Sequence, residues 1–109
     1  IRNNVFYKVP SGIGVGDTSS LKMCDKNNYY GLGNNQMYYQ TRFYTLADWQ
    51  STLGFDRNSI MADPLLSSEY RPASTSPVRA KGDNLGNPFN IDKAGVIRPY
   101  TGWTLGAYQ

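Results

Sequence analysis

The chain closes with Asn90-Ile-Asp-Lys-Ala-Gly-Val-Ile-Arg-Pro-Tyr-Thr-Gly-Trp-Thr-Leu-Gly-Ala-Tyr-Gln109. This stretch is typical of a closing turn followed by a final strand. Trp103, Leu105 and Tyr108 can act there as anchors that cover an exposed core, which gives Trp103 and Tyr108 a structural role. The ending therefore predicts a β structure wound from short strands.

The composition also favours a β protein rich in turns. The chain has 109 residues, of which 39% are hydrophobic and 17% charged, with eleven Gly. Gly and Asn supply the left-handed corners that tight turns need, and this balance does not suit a helical bundle. Aromatic residues make up 14%, with nine Tyr. Tyr has a flat apolar body and a polar tip, which suits half-buried strands and sugar-binding surfaces alike.

Charge and residue types exclude several classes of function. The formal net charge is +3, but Lys and Arg are scattered, so we expect no nucleic-acid-binding patch. A mild basic excess is compatible with acidic polysaccharide as a partner or with simple surface solubility. The sequence contains no His, which removes His-dependent nucleophiles and His-ligated metals. Cys24 is the only cysteine, so no internal disulfide forms, and we expect a small buried side chain.

The amino-acid sequence shows neither a membrane-spanning run nor a signal-peptide pattern. No apolar run approaches the length of a membrane span, and Ile1–Tyr7 resembles a strand rather than the apolar region of a signal peptide. Because the chain begins without Met, we expect a processed product, an excised domain or part of something longer.

A modest repeat organises the first half of the chain. Asn3-Asn4-Val5-Phe6-Tyr7 recurs as Asn27-Asn28-Tyr29-Tyr30. Asn tolerates a left-handed corner, and the aromatic or β-branched pair after it begins a strand, so each copy predicts a turn followed by a strand. Ile13 and Val15 alternate with glycines and predict a further short strand. Recurrence of this kind is a signature of solenoid proteins.

One short amphipathic helix is predicted near residues 45–53. Thr45 can act as the N-cap with Asp48 at the N3 position, in a variant of the capping box, and Gly54 can end the helix. The apolar side chains fall on one face, namely Leu46, Trp49 and Leu53. We expect the helix to lay Trp49 against a sheet. Residues 1–66 then form terminal coils that include this helix, and residues 67–109 form an irregular tail, rich in Pro and Gly, that ends on a final strand.

From about Asn27 onward, the chain resembles the last coil and tail of pectin-lyase-like right-handed β-helix proteins. The elements that carry the resemblance are Asn28-Tyr-Tyr30, Thr45-Leu-Ala-Asp-Trp-Gln50, Gly54-Phe-Asp-Arg-Asn-Ser-Ile60, Asp63-Pro-Leu65, Ser76-Pro-Val78 followed by Gly82, and Asp92 to Arg98 leading into Leu105-Gly-Ala-Tyr108. The resemblance implies an all-β fold, a right-handed parallel β-helix with terminal coils, one short capping α-helix and a long irregular tail. Such proteins are often secreted or surface proteins that bind or cleave polysaccharide, with the substrate groove on central coils upstream of this tail.

The partners expected follow from this architecture. Each coil of a solenoid buries only one side of its core, and about three or more repeats are normally needed for stability. With about two coils here, Val5, Ile13 and Val15 would remain at an open end. We therefore expect upstream β-helix sequence, or a second copy in a homo-oligomer, to cover the N-terminal coil.

Several side chains are candidates for binding. Tyr38, Tyr39, Arg42 and Tyr44 lie in the densest aromatic stretch and could contact carbohydrate, although alternation would send half of these rings into a core. Asp56, Asn58 and Asp63 could offer oxygen ligands to Ca²⁺, with ordinary Asx turns as the leading interpretation, so no cofactor is assigned.

No catalytic residue is assigned either. A glycosidase needs two carboxylates about 5 to 10 Å apart, for which the candidates are Asp48, Asp56, Asp63 and Glu69. Asp48 and Asp56 are better explained as a helix-capping and a turn-forming residue.

Three functions are compared. The leading hypothesis is a non-catalytic capping and assembly part of an extracellular, cell-surface or virion-associated protein that interacts with carbohydrate. The alternatives are the terminal fragment of a polysaccharide lyase or glycosidase, and a self-assembling fibre or tailspike component. Fold alone does not separate them, because function resides in sites.

Overall fold

A computed structural model describes residues 1–17, 21–33 and 36–109 of the chain. The regular elements are short and lie before residue 54. In chain order they are β1 (Val5–Tyr7), β2 (Gly14–Val15), β3 (Asn28–Tyr30), β4 (Met37–Tyr39), β5 (Arg42–Tyr44), α1 (Leu46–Asp48) and a π-helical segment (Trp49–Leu53) that continues α1.

The first sheet is a parallel pair made by the two repeat copies. β1 pairs with β3 so that Phe6 lies opposite Tyr29 and Tyr7 opposite Tyr30. Alternation sends the first of these pairs inward, where the ring centres of Phe6 and Tyr29 stack 4.9 Å apart. Tyr7 and Tyr30 stack on the outer face with centres 5.8 Å apart. The repeat therefore predicts the partner strands, although the register is shifted by one residue from the alignment of the two Asn pairs.

The second sheet contains three strands in the order β2, β4, β5. β2 is parallel to β4, and β4 is antiparallel to β5. Gln40 has a positive φ of 54° at the turn between β4 and β5, where the chain reverses its direction. Val15, Tyr39 and Tyr44 pack inward against the buried cluster.

The predicted right-handed parallel β-helix is wrong. The strands are split between a two-stranded and a three-stranded sheet, and in the described part of the chain they build no solenoid of stacked coils. The physical reason lies between β4 and β5, where the short connection through Gln40 and Thr41 makes a hairpin. Parallel strands need a long crossover, so a chain that turns back in this way does not advance to a further coil. The prediction that upstream sequence or a second copy covers an open end depended on the β-helix. It therefore does not apply to the observed fold.

The helix forms where the sequence predicts it. The Thr45 hydroxyl accepts a hydrogen bond from the Asp48 amide at 3.1 Å, and Gly54 ends the helical segment with a left-handed φ of 74°. Trp49 is completely buried, and its ring packs against Phe55 with centres 5.4 Å apart. The helix thus closes one side of the buried cluster, which contains Ile13, Cys24, Tyr29, Met37, Leu46 and Trp49.

The tail packs on the outer face of the first sheet. Gly106 donates its amide to the Asn3 carbonyl at 2.7 Å, and the Asn3 side chain exchanges two hydrogen bonds with the backbone of Asp83. Trp103 is buried and donates its indole N–H to the Pro99 carbonyl. Instead of a final strand, Trp103 forms an isolated bridge with Gly82. None of the helices in the described residues is long and apolar enough to cross a membrane.

Candidate functional site

The side chains predicted to contact carbohydrate do not share one surface. Tyr39 and Tyr44 pack against the buried cluster, and the Arg42 guanidinium lies 5.1 Å from the centre of the Tyr44 ring. Tyr38 is half-buried and points to the opposite face of the hairpin, where its ring centre lies 5.0 Å from that of Phe43. Because side chains alternate along a strand, one face of the hairpin packs its aromatic rings against the buried cluster and the other face presents them at the surface.

A better aromatic site lies between β1 and the tail. A cavity of about 250 Å³ is lined by side chains that include Tyr7, Tyr70, Pro72, Lys93 and Tyr108. We call it the tyrosine groove.

 The sequence did not predict this site, because its members are far apart in the chain and only the folded tail brings them together.

Three different local structures position the tyrosine rings. Tyr7 projects from the outer face of β1, where its ring is stacked on Tyr30. Tyr70 sits at the tip of a turn with a positive φ of 60°, and its amide donates to the Ser67 carbonyl at 2.9 Å. Tyr108 is held from both sides, because the Lys93 amide donates to the Ala107 carbonyl and the Gln109 amide donates to the Asp92 carboxylate, both at 2.9 Å.

Three cations lie over two of the tyrosine rings of the groove, and one of them, Arg71, is also paired with the Glu69 carboxylate. The Arg71 guanidinium lies 4.4 Å from the centre of the Tyr108 ring, and the Lys93 ammonium lies 5.8 Å from it. On the other side, the Lys8 ammonium lies 5.1 Å from the centre of the Tyr7 ring. The described residues that line the groove include no carboxylate. The site thus offers aromatic faces and hydrogen-bond donors.

The carboxylate of Asp56 has a structural task. Asp56 is completely buried and accepts hydrogen bonds from five side chains. The donors are Cys24, Asn27, Tyr29, Trp49 and Ser59. We call this set the Asp56 network. The turn-forming role predicted for Asp56 fits its positive φ of 54°, but the network could not be predicted from its local sequence.

Two donors of the Asp56 network, the Tyr29 hydroxyl and the Cys24 thiol, have raised pKa values. Burial raises the pKa of the Tyr29 hydroxyl far above its ordinary value, and the charge of Asp56 raises it further. Burial also raises the pKa of the Cys24 thiol, and its hydrogen bond to Asp56 adds to the shift. Both groups therefore remain neutral donors in the folded protein, which suits a structural role better than acid-base chemistry.

The other candidate ligands and carboxylates are engaged separately. Asn58 donates two hydrogen bonds to Asp25, each at 2.7 Å, while Asp63 accepts the Leu65 amide at 2.9 Å. Asp48 bonds with Thr45 in the helix cap, and Glu69 pairs with Arg71 at 3.3 Å. Within the ranges that the structure describes, no group of three or more His, Cys, Asp or Glu side chains could hold a metal ion. The calcium site stays an untested prediction.

Comparison with protein-family models, with curated protein sequences and with solved structures gives no match for this chain.

Proposed function

We propose that the protein is a non-catalytic module that binds carbohydrate through the tyrosine groove. The observation that carries the proposal is the convergence of Tyr7, Tyr70 and Tyr108 on one concavity. Tyrosine rings present apolar faces to the C–H groups of a sugar, and their hydroxyls can bond its polar edge. The cavity of about 250 Å³ is smaller than a typical drug-sized site, so it suits a single sugar ring at a time.

Binding is favoured over cleavage by the chemistry of the lining. Glycoside hydrolysis needs a pair of carboxylates about 5 to 10 Å apart across the sugar. The lining residues include no carboxylate in the described structure, and Asp56 is enclosed by its five donors. A groove that binds carbohydrate suits a location where polysaccharide is present. We therefore propose that the protein is extracellular or at the cell surface.

Affinity electrophoresis in gels that contain one soluble polysaccharide each tests the proposal. We expect retardation of the protein in at least one neutral or acidic polysaccharide gel. Tyr70→Ser should weaken that retardation about three- to tenfold, because it removes one exposed aromatic face. Tyr70 is 67% exposed, so the substitution should leave the fold intact.

Tyr100→Ser is the matched control, since Tyr100 is 88% exposed and lies outside the groove. Equal loss in both variants, or no retardation in any gel, would contradict the proposal. Unsaturated products detected by ultraviolet absorbance after incubation would instead support the lyase alternative.

A further inference from the structure

We propose that one end of the tail docks on a lipid surface that carries anionic headgroups. Five large apolar side chains between residues 89 and 100 are exposed, and we call them the apolar knobs. Their exposed fractions are 59% for Phe89, 54% for Ile91, 52% for Val96, 74% for Ile97 and 88% for Tyr100. Single exposed apolar residues are ordinary, but a cluster within one short segment marks an interaction surface.

The knobs stand on an ordered turn. Ile91 and Ile97 are partners in an antiparallel bridge, so their side chains project from the same face. The Arg98 amide donates to the Asn90 carbonyl at 2.8 Å, and the Asp92 amide donates to the Val96 carbonyl at 2.9 Å. Asp92 also accepts the amides of Ala94 and Val96. The backbone of this turn therefore fixes Ile91 and Ile97 on one face.

A cationic cleft adjoins the knobs. Arg2, Lys93 and Arg98 line it together with Phe89 and Ile91, and its volume is about 410 Å³. Its lining, as far as the chain is described, includes no carboxylate. Two acidic groups that contact the cleft's cations are already engaged: Asp83 pairs with Arg2 at 3.5 Å, and Asp92 accepts backbone amides and interacts with the Arg98 charge.

Arg98 and Lys93 keep their positive charge available to an anion. The Arg98 guanidinium donates to the carbonyls of Thr104 and Gly106, which are uncharged acceptors that fix its position. Lys93 makes no ion pair with any residue in the described ranges. Apolar protrusions beside such a cleft are complementary to an occupant that is both apolar and anionic.

An anionic bilayer surface meets both requirements. Ile97 and Tyr100 are 74% and 88% exposed, so they protrude from the surface and do not line a groove. The fluid acyl region of a bilayer can accommodate protruding side chains of any shape. Phe and Tyr rings are suited to the boundary between acyl chains and headgroups. Cations near the surface are attracted to anionic headgroups, and the phosphate of one lipid would occupy the cleft.

Flotation with lipid vesicles tests the proposal. The full chain should float with vesicles of phosphatidylcholine mixed with phosphatidylserine and much less with pure phosphatidylcholine. Ile97→Ser should weaken flotation about tenfold, because it removes the burial of one large apolar side chain. The matched control is Met61→Ser, which changes a side chain that is 52% exposed elsewhere on the protein and should float like the unchanged chain. Lys93→Gln should reduce flotation only with the phosphatidylserine vesicles.

Three results would overturn the inference. The first is a protein that stays in solution with both kinds of vesicle. The second is release from the vesicles by inorganic phosphate together with full binding by Ile97→Ser, which would assign the cleft to soluble anions. The third is a change in oligomeric state by light scattering in Ile97→Ser, which would make the knobs a contact between copies of the chain.

Discussion

Residues 1–66 and the tail of residues 67–109 satisfy their buried polar groups in different ways. In the first region one carboxylate, Asp56, gathers five side chains from separate segments into a network at the centre of the packed aromatic rings. In the tail, the Asp92 carboxylate instead accepts the backbone amides of Ala94, Val96 and Gln109. The first arrangement joins distant segments, whereas the second shapes a local turn and ties down the end of the chain.

This contrast predicts different responses to damage. Loss of the Asp56 network should unfold the packed region as a whole, since its donors would be left buried without an acceptor. Loss of the Asp92 contacts should loosen the tail while the sheets remain. The tyrosine groove lies where the two regions meet, so it depends on both.

The largest effect is expected for Asp56→Ala. We expect a loss of about 3–5 kcal/mol in the free energy of unfolding, because the buried donors around Asp56 would have no acceptor. Urea denaturation measures the loss. Asp48→Ala is the control, since Asp48 is an exposed carboxylate, and it should cost at most about 1 kcal/mol. A similar small cost for Asp56→Ala would show that the network does not hold the region together.

Alkaline pH should weaken the same network. The pKa values of Cys24 and Tyr29 are raised by burial, from ordinary values of 9.0 and 10.0. Above those values the unfolded chain loses protons that the folded chain retains, so stability is complete below about pH 9 and falls as the pH rises. With both groups contributing, the slope approaches about 2–3 kcal/mol per pH unit.

Denaturation midpoints measured across that range check the slope. Tyr29→Phe removes one of the two titrating groups and should flatten it by about half. An unchanged slope in that variant would mean that other groups control the alkaline transition.

A smaller and more local effect is expected for Asp92→Asn. Burial opposes ionisation of Asp92, but hydrogen bonds from Gln109, Val96 and Ala94 outweigh it and lower the pKa of the carboxyl below 3.8. Its stabilisation is therefore present above pH 3.8 and is lost as the pH falls through the lowered value. The variant should lose about 1–2 kcal/mol, and hydrogen exchange should accelerate at tail amides near Val96 and Gln109.

The amides of β1 and β3 are the internal control for this variant. If their exchange accelerated as much as that of the tail, the two regions would unfold as one unit and the contrast between them would fail.

The smallest effect is expected at the helix cap. Thr45→Ala removes the hydroxyl that accepts the Asp48 amide and should cost about 1 kcal/mol. Thr52→Ala is the matched control, because Thr52 is exposed within the same helical segment and Ala is the better helix former. Thermal denaturation of the two variants should therefore move in opposite directions, and equal shifts would contradict the capping role.

Local features could be predicted from the sequence. The recurrence of Asn pairs before aromatic residues indicates β1 and β3, and the pattern around Thr45, Trp49 and Gly54 indicates the helix with its start and end. These features depend on turn formation, capping and apolar spacing, which act between neighbours in the chain. The prediction of the fold class was wrong at β4 and β5. The resemblance predicted parallel coils there, whereas the two strands form an antiparallel hairpin.

The sequence by itself determined the extended segments at β1, β2 and β3, the position of the helix, and the burial of Trp49 and Cys24, whereas its predicted final strand is only an isolated bridge at Trp103. Only the tertiary structure decided how the strands pair, which donors surround Asp56 and which tyrosines meet in the groove. The physical reason is distance along the chain. Tyr7, Tyr70 and Tyr108 have no local relationship, and they converge only because the tail packs over the outer face of β1.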